Sequence, residues 1–148
     1  MKRPGSPADT LQATTGLRGL SRLADFRYQL RKFLRFSERA ARSNGITPQQ
    51  HQLLLGIAGF TGRGWATIGE LAEFLQERHN AVVGLVQRAE RHGLVRKSRS
   101  ESDHRIVQVF ILPEGERLLN KLTELHQREI RKLRLGRPNL RDLLAGHD

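Results

Sequence analysis

Cysteine is absent from this chain of 148 residues. That excludes disulfides, thiol redox sensing and cysteine-ligated zinc. Long apolar runs are absent as well: none approaches the ~20 residues of a membrane-spanning helix, so no membrane partner is expected. The first residues, MKRPGSPADTLQATTG, carry two basic side chains and no apolar stretch. Residues 1–16 therefore read as a disordered basic arm, not a secretory signal, and the expected location is cytoplasmic. Catalytic signatures are missing: there is no G-x-S-x-G, no phosphate-cradling glycine loop and no cysteine nucleophile. Six histidines (His51, His79, His92, His104, His126 and His147) show no i, i+4 pair and no zinc-protease pattern. Most are assigned to the surface, and neither a metal nor another cofactor is expected. An enzyme is not expected.

What the chain has in excess is positive charge, with 26 Lys and Arg against 15 Asp and Glu and a net charge of +11. Residues 1–43 hold ten basic side chains against three acidic ones, whereas residues 44–93 are balanced at four each. Such an excess suits a polyanion, nucleic acid before a membrane surface. Charge alone is explained equally well by a basic surface with no partner. With 37% hydrophobic and 28% charged residues, the chain can build one folded core.

Periodicity orders the elements. Residues 17–43 lack proline and form one long predicted helix. Leu23, Phe26, Leu30, Phe33, Ser37 and Ala40 make a stripe able to pack on another helix, and Arg27, Arg31, Arg35 and Arg39 make a basic ridge. Asn44 and Gly45 stop it. Thr47, Pro48 and Gln50 open a second helix, TPQQHQLLLGIAGF, with a capping box, and Leu53, Leu54, Ile57 and Ala58 are placed inward. After a turn, TGRG at 61–64, Thr67 and Glu70 cap a third helix facing the core through Leu71, Ala72 and Leu75. Asn80 is expected to cap a fourth, 79–92, whose core face is Val82, Leu85, Val86 and Ala89 and whose stop is Gly93. Two short helices so close together predict a helix-turn-helix. LVRKSRS and IVQVFIL then flank ESDHR as a hairpin, 96–109, with a charged tip. A long helix starts at Pro113, striped by Leu118, Leu122, Leu125, Glu129 and Leu133, before GRP interrupts it.

The expected fold class is mainly α (α+β), a winged helix-turn-helix framed by long N- and C-terminal helices. TPQQHQLL at 47–54, TIGELAEFL at 67–75, LVQRAERHGLVRK at 85–97, DHR at 103–105 and LPEGERLL at 112–119 occur in an order and spacing that resemble the MarR (multiple antibiotic resistance repressor) family of bacterial transcription regulators. The resemblance covers roughly residues 20–135. It implies an N-terminal dimerisation helix at 17–46, a winged helix-turn-helix DNA-binding domain at 47–112 and C-terminal dimerisation helices at 113–148. It further implies a homodimer that binds double-stranded DNA sequence-specifically at a palindromic operator. A ligand-responsive repressor is the implied role, with a small anionic or aromatic effector at the junction of frame and winged helix.

By resemblance, Arg105 is the wing arginine that enters a minor groove. The other roles are read from the residues: Asp103 orients Arg105 or another arginine as a bidentate partner. Ser98, Arg99, Ser100 and Ser102 are phosphate donors. On the helix 79–92, His79, Asn80, Val83, Gln87, Arg88 and Arg91 face outward: Gln87 suits an adenine edge, Val83 a thymine methyl, and Arg78, Arg88 and Arg91 phosphates or bases. Two departures stand out. Val83 and Gly84 occupy a face that is usually small polar or basic in the family, and Pro113 stands where threonine is common. Two rivals remain. A winged-helix RNA-binding or protein-assembly module would lack operator specificity, and a small hydrolase would need convergent titratable groups in a deep pocket.

Overall fold

The computed structural model describes residues 16–134. The expected arm up to residue 15 and the C-terminal stretch from residue 135 lie outside them. In chain order the elements are α1 (Leu17–Ser43), α2 (Pro48–Leu55), a π-helical turn (Gly56–Phe60), β1 (Trp65–Thr67), α3 (Ile68–Leu75), α4 (His79–Arg91), β2 (Val95–Arg99), β3 (Val107–Ile111) and α5 (Pro113–Arg134). The three strands form one antiparallel sheet in the order β1-β3-β2. Trp65 lies opposite Phe110, and Val95 opposite Ile111. The architecture is the mainly helical winged helix-turn-helix that the sequence predicted.

Local chemistry sets the element ends. Gln50 N donates to Thr47 Oγ1 while Thr47 N donates to Gln50 Oε1, both at 3.1 Å. Thr67 and Glu70 repeat the exchange at 3.2 Å, so two orphan amide donors are satisfied at each helix start. α1 stops at Gly45, φ +82°, where Ile46 N donates to Ala41 O and Gly45 N to Arg42 O. α4 stops in the same motif at Gly93, φ +70°. α3 does so at a residue that is not glycine: Gln76 has φ 52°, a left-handed conformation that costs a side-chain-bearing residue about 1 kcal/mol or more. That reversal turns the chain from α3 into α4 within Gln76, Glu77 and Arg78.

Three expectations need correction. Asn80 does not cap α4; the boundary residue is Arg78, extended at φ −72° and ψ 148°, with no side-chain cap. The left-handed Gln76 finishes the turn early, so helical conformation begins before Asn80 is reached. The second helix does not run unbroken: α2 gives way to the π turn at Gly56. A π turn is wider than an α turn and shifts the phase of the residues beyond it, so Ile57 is buried but Ala58 points to solvent. Gly56 lies where an added Cβ would come within 2.6 Å of the Phe74 ring, which lets the bare backbone pack on α3. Finally, β1 was not expected, because three residues are too few to show alternation.

The structure divides into two units, each described by itself. Residues 37–127 hold the core: Leu53, Leu54, Ile57, Leu71, Val82, Val86, Val95, Val109 and Leu122 are fully buried. The four core residues expected on α4 are all buried. Burying one such side chain contributes about 1.5–3 kcal/mol. The other unit comprises residues 16–36 and 128–134 of the described chain. Its α1 segment presents Leu17, Leu23, Tyr28 and Leu34 to solvent in the single chain, alongside exposed Arg27, Arg31 and Arg35.

Not all histidines are superficial. His51 is 3% exposed, its ring centroid lies 4.8 Å from that of His126, and its Nδ1 has no hydrogen-bond partner. His126 Nδ1 donates to Leu122 O at 2.6 Å, and its Nε2 lies 2.8 Å from the hydroxyl of buried Ser37. Burial, then the neighbouring His126, lowers the His51 pKa to about 4. Unfolded His51 titrates near 6.5, so between the two values the unfolded chain binds more protons. Stability from this site is complete above pH 6.5 and is lost as pH falls toward 4, on the order of 2 kcal/mol after solvent screening. Urea unfolding across this range should show the loss, and His51→Leu should flatten it. An unchanged slope in His51→Leu would assign the acid sensitivity elsewhere.

Candidate nucleic-acid interface

The helix-turn-helix and wing display most of the predicted side chains. On α4 and its leading turn, Arg78, His79, Asn80, Gln87, Arg88 and Arg91 are exposed and Val83 is half-buried. With the core contacts on one side of the helix, these polar and cationic groups form the opposite, solvent-facing side. Arg88 and Arg91 lie in the last turn, where cations also complement the helix dipole. Arg88, His92, Gln49, Gln50 and Glu77 border a groove of about 330 Å³ between the start of α2 and α4. Buried Gln50 links the two helices: its amide donates to His92 Nδ1 at 2.7 Å, beyond its capping-box bonds.

The wing tip is a knot of short polar contacts. Ser100 N donates to Ile106 O at 2.9 Å and Ile106 N to Asp103 O at 3.0 Å. Arg99 Nη1 donates to His104 O at 3.0 Å, which ties that guanidinium to the tip's own backbone. Ser98 is half-buried. Ser100 is 8% exposed and its hydroxyl lies 2.9 Å from that of Ser102, so the expectation that Ser100 donates to a phosphate is corrected: the turn buries it. Asp103 and Arg105 are paired in two parallel bonds, Arg105 Nε to Oδ1 at 3.1 Å and Nη2 to Oδ2 at 3.3 Å, and Arg105 N also donates to Oδ1 at 3.0 Å. The Arg105 side chain and backbone bonds hold the Asp103 carboxyl below the usual carboxylate range. The side chain of Arg105 is nevertheless 90% exposed, so its direction is set while its outer edge is open to a partner.

Two supports were not visible from sequence. Glu90, on α4, accepts from Lys97 N at 2.8 Å and lies 3.6 Å from Lys97 Nζ, clamping α4 to the wing. Its signal, an acidic residue seven positions before a strand lysine, has no meaning until helix and strand are adjacent. On the outer sheet face, the Arg63 guanidinium stacks 3.8 Å over Trp65 and Arg96 lies 4.3 Å over Phe110. Arg63 also grips Glu70. Slight desolvation tends to raise the Glu70 pKa, but the bonds from Arg63 and Thr67 outweigh it and lower it.

Fold and site together define a winged helix-turn-helix protein. Residues 44–106 match the MarR family. It is 30% identical over 88 residues to the uncharacterized HTH-type transcriptional regulator YsmB of Bacillus subtilis; the match spans 60% of this chain and 58% of the relative. Among solved structures it is similar to a MarR family protein from Bacillus stearothermophilus, with 25% identity, TM-score 0.68, and coverage of 86% of this chain and 87% of the other. A mutant of Escherichia coli MarR complexed with operator DNA shares the fold at 21% identity and TM-score 0.62, covering 76% and 77% of the two chains. Among the described residues, no helix is long and apolar enough to cross a membrane and no group of three His, Asp or Glu side chains is placed to hold a metal.

Proposed function

We propose that the chain is a sequence-specific double-stranded DNA-binding transcriptional regulator, acting in the cytoplasm as a homodimeric, ligand-responsive repressor. The observation that carries this is the exposed polar stripe of α4, extended by the braced and outward-pointing Arg105 of the wing. α4 fits a major groove, and a wing arginine fits the narrow minor groove beside it. The operator DNA bound to the related Escherichia coli protein supports the same class of partner. Apolar Leu17, Leu23, Tyr28 and Leu34, exposed on the isolated chain, support pairing of two copies. Two-fold pairing calls for a palindromic site with half-sites ~34–36 Å apart. An anionic or aromatic effector regulates only by binding one arrangement of the two recognition helices better than the other.

Selection of duplexes from a random library, followed by footprinting, tests the proposal. The expected product is a palindrome, bound by a dimer in sedimentation, with a log–log salt slope of magnitude above ~5. Retention of RNA over duplex, or no enriched sequence, would favour the RNA-binding or assembly alternative. A monomer at micromolar concentration would sink the dimer.

A further inference from the structure

Gly84 is a glycine that the fold does not require. Gly45 and Gly93 have positive φ, and an added Cβ at Gly56 or Gly115 would collide with neighbours; Gly84, like Gly59 and Gly69, has neither reason, but it alone of these three lies on α4. The backbone of Gly84 is not left-handed, and a Cβ built on it meets a single atom, Arg88 Nη1, at 3.3 Å. Inside a 13-residue helix, glycine is a poorer helix former than alanine, so neither packing nor conformation accounts for it.

Its place on the helix does. At roughly 100° per residue, Val82, Leu85, Val86 and Ala89 point to the core, and Asn80, Gly84, Gln87 and Arg91 form the stripe opposite. Gly84 lies in the middle of that stripe, yet is only half-exposed, and the atom lying over it belongs to Arg88. Helical side chains lean toward the N-terminus, so Arg88, four residues later, lies back along α4, and the bare Cα lets its guanidinium settle close to the helix. Unlike Arg63, Arg105 and Arg117, Arg88 forms no ion pair among the described residues.

We propose that Gly84 is a positioning residue: it seats the Arg88 guanidinium on the mid-line of the recognition stripe, where its donor fork reads a guanine edge. This rests on the duplex-DNA proposal above. A guanine presents O6 and N7 side by side in the major groove, and a planar guanidinium matches both acceptors at once. Arg88 leaves α4 on its flank, beside the groove that it borders with Glu77 and His92; without the seat its guanidinium stays on that flank and serves as a point charge. The seat brings the cation about one turn, ~5.4 Å, nearer the start of the helix, between Asn80 and Gln87.

The test uses full-length protein and the palindromic duplex recovered by selection, together with duplexes carrying each of the other three bases at each position. Gly84→Ala should melt at or above the wild-type temperature, because alanine favours the helix. It should bind the duplex about tenfold more weakly and lose preference at one guanine per half-site. Arg88→Ala should lose the same preference, and the double variant Gly84→Ala/Arg88→Ala should bind no worse than Arg88→Ala alone. Arg88→Lys, which keeps charge without the fork, should not restore the guanine preference. Gly84→Ala with wild-type affinity and base choice overturns the seat, as does additivity in the double variant, which would mean that DNA touches Gly84 directly. A Gly84→Ala variant less stable than wild type also overturns it, since the glycine would then serve the fold. If Arg88→Ala lowers only the salt slope, Arg88 binds phosphate and the guanine assignment fails. Failure of the wild type to select any duplex is seen without variants; it removes the DNA proposal and the seat with it.

Discussion

Arg105→Ala is expected to weaken binding to the selected duplex on the order of a hundredfold at matched salt, with the melting temperature unchanged. The size follows from symmetry. One groove-inserted arginine contributes about as much as a good base contact, and a homodimer loses two. Stability is untouched because the side chain is 90% exposed and packs against nothing in the core. Asp103→Ala should cause a smaller loss. The carboxylate would repel a phosphate directly, so its contribution passes through the arginine it orients at 3.1 and 3.3 Å. In an Arg105→Ala background, removing Asp103 should therefore cost nothing further and should slightly improve binding. Because the Asp103 pKa is depressed by Arg105, the brace is intact above the ordinary carboxylate range and loosens only when acid protonates it. Fluorescence titration of labelled duplex reads all three variants. Unchanged affinity in Arg105→Ala would remove the wing from the interface.

Gly115→Ala is expected to destabilise the protein by about 3 kcal/mol or to prevent folding. At the start of α5, a Cβ on residue 115 would meet the Leu94 carbonyl oxygen far inside van der Waals contact, with Ile111 Cγ2 at 3.1 Å and Leu54 Cδ2 at 3.2 Å. The obstacle is backbone, and that carbonyl already accepts Leu112 N at 2.9 Å, so it cannot swing aside without breaking the junction between the recognition helix's exit and the last strand. The same substitution at Gly84 meets only the flexible end of Arg88 and should stabilise. Chemical denaturation of the two variants side by side measures the contrast. A Gly115→Ala protein within about 1 kcal/mol of wild type, the ordinary cost of a tolerated core change, would mean that α5 can start farther from Leu94 without loss.

Much of the frame was legible in the chain because its signals are local. Capping boxes need residues three apart, helix stops need a left-handed glycine at Gly45 and Gly93, and the core face of α4 needs only the spacing of Val82, Leu85, Val86 and Ala89. Each of these is decided by hydrogen bonds or periodicity within a turn or two of helix. The family resemblance rested on the same short segments. Asp103 was expected to brace Arg105 or another arginine; the structure pairs it with Arg105.

The features that the chain did not disclose depend on partners distant in sequence. β1 exists because Trp65 to Thr67 meet Phe110 to Gln108; its own three residues carry no strand signal. The second helix changes phase at Gly56, where Phe74 and Leu71 of α3 leave no room for a side chain. His51 became a weakly basic group chiefly because the fold buries it, with His126 of α5 adding to the effect. Sequence by itself therefore determined most of the helices, several of their ends, the class of fold and the face of α4 turned to solvent, all of which are short-range preferences. Tertiary structure decided which polar groups are used inside the protein, as Gln50 is by His92 and Lys97 by Glu90, because that depends on packing between segments that the sequence keeps apart.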